Sequence, residues 1–414
     1  MAKRLIDLSD PGGAIAKEAL VQLKNNMVFG NLVHREYKEE FVKVGDTVNI
    51  RRPVKFVTSD GAQRVNQDVE EGAVNIRMDQ RKHVSWKFST QDMTLVVDKY
   101  VERYVKPAMI TLANTVDRSV AGLYSQLWNS VGTPGTTPAN FAALASGAQR
   151  LDEMAVADDM RFAAINPAAK YAIAGDQTRL LQAEMVKGAY KKASIGEIAS
   201  FDTYSTNNIV NHITGALGGT PLVDGPDQDV TYNASADTNS QTLMIDGADP
   251  TVTGFAKAGD VFTIAGVFAV NPVPGEGGMG KTVMPYLQEF TVLADADTSG
   301  SGAASLTIAP AIITEGPYQT VSGAPADNAA LTFRGAPTTA YPQNILAHRN
   351  ALALVTCPLE MPDGVAFKGR ESYDGLSVRI VKDYDIFNDV EIIRADILFG
   401  IRAIYGELGA RLWG

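Results

Sequence analysis

The chain has 414 residues, 45% of them hydrophobic and 20% charged, with a net charge of -10. That length gives two or three domains a sizeable core, and the balance is an ordinary globular one. A single cysteine, Cys357, excludes an internal disulfide, and no apolar run approaches the ~18 residues of a membrane span.

The charge is uneven along the chain. Between Leu217 and Phe333 stand 13 acidic residues and two lysines, Lys257 and Lys281, whereas the remainder carries 35 basic and 34 acidic residues. Such a shift marks a domain boundary. The N-terminal "MAKRLIDLSDPGG" lacks the apolar segment of a signal peptide, so a soluble protein made and used in a reducing cytoplasm is expected. Cys357, after "ALALVT", is expected to pack in a core as a small hydrophobe.

In chain order, "LSDPGGAIAKEALVQLKNNMVF" opens with helix grammar: Ser9 or Asp10 as cap, Pro11 in the first turn, then a stripe of Ala14, Ala16, Leu20, Leu23 and Met27. A long strand pair follows. "DTVNIRRPVKFV" alternates through Val48, Ile50, Val54 and Phe56, and "GAVNIRMDQRKHVSWKFS" through Val74, Ile76 and Met78, resuming at Val84, Trp86 and Phe88. The polar "TSDGAQRVNQDVEEG" between them makes the charged tip of a long hairpin. Arg77, Asp79, Arg81 and His83 share one face of the second strand. A hairpin of this length outruns the core of one subunit and is expected to lie on a neighbour.

Helical spacing then runs through residues 95 to 128, roughly 50 Å of helix, with a kink expected near residues 103 to 107 because Pro107 removes a backbone donor. In residues 138 to 216, "TPANFAALASGAQRLDEM" reads as a helix capped by Thr137, "RFAAINP" as a buried strand, and "AAKYAIAGD" and "TRLLQAEMVKGAY" as helices. The acidic block changes character. "SQTLMIDG", "GDVFTIAGVFAV", "YLQEFTVLAD", "ASLTIAP" and "ALTFRG" are short strands between turn clusters, the pattern of a small barrel or sandwich. Long amphipathic strands return in "ALALVTCPLEM" and from Ser377 to the end, so the acidic β block is an insertion.

The motifs carry no chemistry. Gly275 to Thr282, "GEGGMGKT", matches the phosphate-loop pattern, which works only where a helix starts directly after it. Here "VMPYLQEFTVL" is strand-like, so the stretch reads as a glycine-rich hairpin loop. "DADTSG" from Asp295 resembles the start of a calcium loop but has Leu306 where a bidentate Glu is needed. His34, His83, His212 and His348 have no metal-ligand spacing. There is no nucleophile elbow and no partner for a cysteine nucleophile, and Asp158-Asp159 and Glu70-Glu71 read as solvated pairs. No catalytic, cofactor or metal site is expected, nor any sequence-specific reading of nucleic acid.

The order of elements, together with "INPAAKYAIAG", "GEIASFDTYSTNN" and "GDVFTIAGVFAVNP…YLQEFTVL", resembles the major capsid proteins of tailed phages with the Hong Kong 97-type fold. The likeness is greatest to coat proteins of Salmonella P-twenty-two-type short-tailed phages, which carry an inserted β domain. The resemblance implies an α+β fold with an N-terminal arm (1-40), an extended hairpin or E-loop (41-90), a spine helix and peripheral domain (91-136), an axial domain (137-216), an inserted β-barrel domain (217-340) and a return to the axial and peripheral domains (341-414).

It also implies pentamers and hexamers in an icosahedral shell around double-stranded DNA, helped by scaffolding and portal proteins and assembled in the host bacterial cytoplasm. No membrane is involved. Within that reading the hairpin-tip charges Arg64, Asp68, Glu70 and Glu71 are expected to pair with a neighbouring subunit, with Arg51, Arg52, Arg77 and Arg81 as second candidates. Two alternatives stay open at this point: an encapsulin-like nanocompartment shell, and a nucleotide-binding enzyme resting on Gly275 to Thr282.

Overall fold

A computed structural model describes residues 11-35, 47-56, 62-64, 66, 69, 71-89, 104-177, 196-273, 281-373 and 375-414. The chain divides into two compact units, residues 1-48, 75-121 and 352-402 in one and residues 49-74, 122-351 and 403-414 in the other. Among the described residues no helix is long and apolar enough to cross a membrane.

The first unit is helices on a sheet. Helix α1 (Pro11–Asn26) buries Ala16, Ala19, Leu20 and Leu23, the stripe read from the sequence. It is followed by the single turn α2 (Phe29–Leu32). Helix α3 (Lys106–Ala121) buries Met109, Leu112, Val116 and Val120 at helical spacing. Asp117 on the same face has no solvent exposure. Its carboxylate accepts the Val28 N–H at 2.6 Å and the Gly30 N–H at 3.0 Å, meeting the donors at the start of α2.

Strand β1 (Thr47–Arg51) pairs with β2 (Ala73–Arg77) in a two-stranded sheet. Strand β3 (Gln80–Ser89) joins a five-stranded sheet. In it β16 (Leu352–Cys357), β19 (Val390–Ala403), β18 (Leu376–Asp385) and β17 (Phe367–Tyr373) lie in that order, with β3 against β19. Cys357 is half-buried at the end of β16, whose other residues are buried. Buried Asp396 on β19 binds Arg379 at 2.6 Å, Arg394 at 2.7 Å and Arg81 at 3.5 Å. Burial pushes its carboxyl up, but the arginine hydrogen bonds and charges outweigh this and hold it below the usual range.

The second unit has two sheets. The first takes β4 (Asn129–Val131), β20 (Gly409–Trp413), β15 (Ala340–His348), β5 (Arg161–Ile165), β7 (Phe201–Ser205) and β6 (Glu197–Ile198) in that order, with β8 (Asn211–Ile213) on β15. Helices α4 (Phe141–Glu153) and α5 (Pro167–Gln177) cover it through Leu144, Leu151, Ala169 and Ile173, packed with Ala163, Ile165, Leu346 and Leu412.

The acidic block forms the second sheet, in the order β14 (Leu331–Phe333), β11 (Val261–Val270), β12 (Val283–Val292), β13 (Ala304–Ala309), β10 (Gln241–Ala248), β9 (Gly219–Val223). Its two ends meet: the Val223 N–H donates to the Ala329 carbonyl and the Asn328 N–H to the Val223 carbonyl, both at 3.0 Å. The sheet is thus a nearly closed barrel around Phe255, Phe262, Phe290, Leu243 and Leu306, which removes its edges.

Four expectations need correction. The helix expected over 95-128 is described from Lys106 to Ala121 and passes at Gly122 into a 3-10 turn, Gly122–Gln126. Residues 95-103 lie outside the described chain; within the expected kink region Tyr104 and Val105, just before Pro107, form a π-helical turn, an irregularity that the missing Pro107 N–H favours. The second hairpin strand is broken at Met78 and Asp79, and only β2 pairs with β1. Helix α4 is capped by Asn140, whose side chain accepts the Ala143 N–H at 3.0 Å, rather than by Thr137. Strand β9 was not expected, because Gly219 and Pro221 disguise it.

The Asp396 cluster makes the first unit sensitive to acid. The carboxylate contributes stability above the ordinary Asp range near pH 4, and this is lost as pH falls through its lowered native value. Asp396→Asn should cost about 2–4 kcal/mol at pH 7. Urea titrations from pH 7 to pH 3 should show the gap to the unsubstituted protein closing.

Candidate subunit interface

The hairpin root is built where β1 and β2 run side by side, and the Arg52 N–H extends the ladder to the Gly72 carbonyl at 2.7 Å. Of the charges expected to contact a neighbour, Arg51 and Glu71 are brought together at 3.2 Å, with 80% and 48% of their side chains exposed. Such a pair is worth little to the subunit itself. Arg64 and Arg77 are exposed and Arg52 is half-buried. Asp68 and Glu70 lie outside the described residues. Arg81 belongs to the Asp396 cluster, so part of its charge is already answered within its own chain.

The sequence pattern passed over one exposed apolar pair. Ile386 and Phe387, 83% and 95% exposed, stand at the turn between β18 and β19. The turn is held by Asp385, which accepts the Phe387 N–H at 2.9 Å and the Asn388 side chain at 2.6 Å. Both bonds favour the carboxylate and lower the Asp385 pKa. The signal was available: "DYDIFNDVEI" puts two large apolar residues where a turn is normally polar.

The phosphate-loop match resolves differently. Residues 275-280 lie outside the described chain, but Thr282 leads directly into strand β12 and not into a helix. The Asn271 N–H donates to the Thr282 carbonyl at 2.8 Å, closing a β11–β12 hairpin. Pro285 falls in the irregular stretch of that pairing, between the Val270–Val283 and Phe268–Leu287 partners. Lys281 is buried, and its Nζ donates to the Gln319 carbonyl at 2.9 Å. Its pKa is lowered to about 8, by burial first and then by the charge of Lys55, with Glu407 opposing.

The calcium-like stretch is a turn. Asp295 and Asp297 accept the Ala258 and Gly254 N–H groups at 2.8 and 2.6 Å, and Leu306 is a buried strand residue. Among the described residues no group of three or more His, Cys, Asp or Glu could hold a metal.

The buried charges of the second unit form a seam instead. Arg411 on β20 has no exposure. It donates to the Gly259 carbonyl at 2.6 Å and to the Thr291 hydroxyl at 3.3 Å. Burial pushes its pKa down to about 10, against the pull of Tyr124, Glu289 and Asp260, so it stays charged at neutral pH. Glu289 accepts the Ser130 N–H at 2.5 Å and the Ser130 hydroxyl at 3.2 Å, and pairs with Arg334. His212 lies between the Tyr124 hydroxyl at 2.9 Å and Asp260 at 2.7 Å. Asp260 is saturated by the Gly215 and Lys257 N–H groups at 3.1 and 2.7 Å. Apart from the Arg411 Nε, which has no hydrogen-bond partner, the charged groups are occupied with one another, with neighbouring hydroxyls or with the backbone, which is the chemistry of a structural joint.

A family model described as P22 coat protein, gene protein 5, matches residues 13–414. The major capsid protein of Acyrthosiphon pisum secondary endosymbiont phage 1 is 23% identical over 295 residues, covering 69% of this chain and 68% of that one. Among solved structures, a chain of Mycobacterium phage Che8 is similar with a TM-score of 0.49 at 13% identity, covering 93% of this chain and 90% of its own. The capsid of cyanophage P-SCSP1u gives 0.45 at 10% identity, covering 89% and 84%.

The buried Lys281 supplies a pH test. Its ammonium is protonated in the unfolded chain up to its ordinary pKa of 10.5 but in the native one only up to about 8. The penalty is therefore complete below pH 8 and disappears as pH rises to 10.5. Lys281→Met should be more stable than the parent at pH 7 by about 1–3 kcal/mol. Thermal melts should show that advantage shrinking by pH 10.

Proposed function

Since the chain belongs to the P22 coat protein family, we propose that its copies assemble, with a scaffolding protein, into an icosahedral shell that encloses double-stranded DNA. The protein is a phage major capsid protein, a structural component of the virion rather than an enzyme, and it acts as an oligomeric shell. Its α+β architecture with an inserted barrel-like sheet is of the Hong Kong 97-like kind. The observation that carries the reading is that the family match runs through both units and the whole barrel.

Within such a shell, pentamers and hexamers make head-to-tail contacts around rings, one vertex takes a portal protein, and assembly takes place in the host bacterial cytoplasm. Outside the acidic block the chain is almost neutral, which suits a wall that must release DNA and pack against itself. The acidic barrel keeps shells apart in solution.

The hairpin charges Arg64, Asp68, Glu70 and Glu71 then face a neighbouring copy, with Arg51, Arg52, Arg77 and Arg81 behind them. The exposed Ile386 and Phe387 are a second place for such a contact.

Electron microscopy of the protein expressed alone and with the adjacent scaffolding gene tests the reading. Uniform closed shells, dependent on scaffold, are expected; a small oligomer under both conditions would overturn it. Arg64→Glu and Glu70→Lys, made singly, should each lower shell yield several-fold while the melting temperature of the free subunit stays within about 1 °C. The reason is that a lost rim pair costs roughly 1 kcal/mol at every copy. Normal shells from both variants would remove the hairpin from the interface.

A further inference from the structure

The acidic barrel touches the hairpin root, and it does so through the root's backbone. The Ala73 N–H, at the start of β2, donates to Asp237 Oδ1 at 2.9 Å. Beyond the end of β1 the Lys55 N–H donates to the Tyr318 hydroxyl at 3.1 Å. The two side chains come from distant parts of the barrel, Asp237 just after the turn α6 (Tyr232–Ser235) and Tyr318 from the connection between β13 and β14. They are tied together by the stacking of Tyr232 on Tyr318, centroids 3.5 Å apart and rings 2° from parallel.

Between the two hydrogen bonds lies Gly72, which is buried. A Cβ at that position would overlap the Ala236 carbonyl oxygen and stand 2.8 Å from the Tyr232 hydroxyl. The hairpin backbone therefore lies directly on α6. Ile50, Val74 and Ile76 are buried on β1 and β2, but beyond Arg51 apolar packing thins. Phe56 is 57% exposed, and Arg52, Pro53, Lys55 and Phe56 form part of the wall of a cavity of about 530 Å³ that Tyr318 and Lys281 also line. Where the wall is hollow, the two hydrogen bonds and the Gly72 contact hold the root.

We propose that the inserted barrel is the anchor of the hairpin, with Asp237 and Tyr318 as positioning residues that set the direction in which it leaves the subunit toward a second copy of this chain. The anchor grips main chain, so it is indifferent to the side chains of the hairpin and fixes direction rather than sequence. It also gives the barrel a place in the shell contact without itself reaching the neighbour. The inference rests on the reading that the hairpin contacts a neighbouring copy.

The test uses the full chain carrying Asp237→Ala, Tyr318→Phe or both, at two positions outside the barrel core, which their loss leaves intact. Hydrogen-deuterium exchange of the free subunit reads the peptides covering Lys55 and Ala73, and microscopy with scaffold reads the shells. The double variant should exchange at the root about fivefold faster or more, with unchanged exchange in β10 to β13, and should give fewer and less regular shells. Unchanged exchange at the root would overturn the anchor itself. Faster exchange with normal shells would overturn its role in assembly. The charge-reversed tip variants separate the two levels: normal shells from those as well would show that the hairpin reading, and not the anchor geometry, had failed. Gly72→Ala is a further check, with a shifted root expected wherever the variant folds.

Discussion

A guanidinium without solvent must be answered by oxygen atoms, and Arg411 takes its partners from the inserted barrel: the Gly259 carbonyl and the Thr291 hydroxyl. Arg411 itself stands on β20, in the other sheet of its unit. Leaving it unpaired would cost several kcal/mol, so β20 cannot be seated without β11 and β12 beside it. The same holds in reverse for Glu289 on β12, which accepts hydrogen bonds from Ser130 on β4 and pairs with Arg334, and for Asp260, which shares His212 with Tyr124. The barrel is inserted in sequence but joined in energy to the sheet it interrupts.

That joint gives the barrel a fixed frame from which to act on other parts of its unit. Main-chain donors at Lys55 and Ala73 are met by Tyr318 and Asp237, and the connection between β13 and β14 carries both the Tyr318 hydroxyl and the Gln319 carbonyl that receives Lys281. In the other unit a buried charge has a comparable role on a smaller scale. Asp396 gathers three arginines from β3, β18 and β19 and so ties the strand after the hairpin to the C-terminal strands. A shell subunit needs little chemistry, but it needs its projecting parts to leave the body at defined angles, and buried polar groups with one satisfactory arrangement supply that.

Much of this was legible in the residues. Period-two runs such as "GDVFTIAGVFAV" and "YLQEFTVL" became β11 and β12, and the helical stripe of Ala16, Leu20 and Leu23 became the buried face of α1. The phosphate-loop match failed for the reason visible in sequence, since strand residues rather than a helix come after Thr282. The acidic composition between Leu217 and Phe333 marked the barrel's extent because strand-turn repeats and charge changed together. Where local signals competed, sequence reading was weaker. Thr137 and Asn140 are both good caps, and only the path of the chain selected Asn140. Gly219 and Pro221 concealed β9, whose pairing depends on β10 and on the segment before β14.

What the sequence determined by itself was therefore the class and order of most elements and the absence of catalytic spacing, because these rest on periodicity, turn chemistry and spacing within short windows; the family resemblance rested instead on particular stretches such as "INPAAKYAIAG" and on the order of elements. The tertiary structure alone decided which charges are buried partners and which are surface. Arg411 and Arg51 read alike in the chain, yet one has no exposure and the other is 80% exposed. It also decided that β3 leaves the hairpin for β19, and that Asp237 and Tyr318 meet the hairpin root. Those outcomes depend on contacts between residues separated by up to 315 positions, and the energy of such contacts is set by desolvation and partner geometry, which no local pattern encodes.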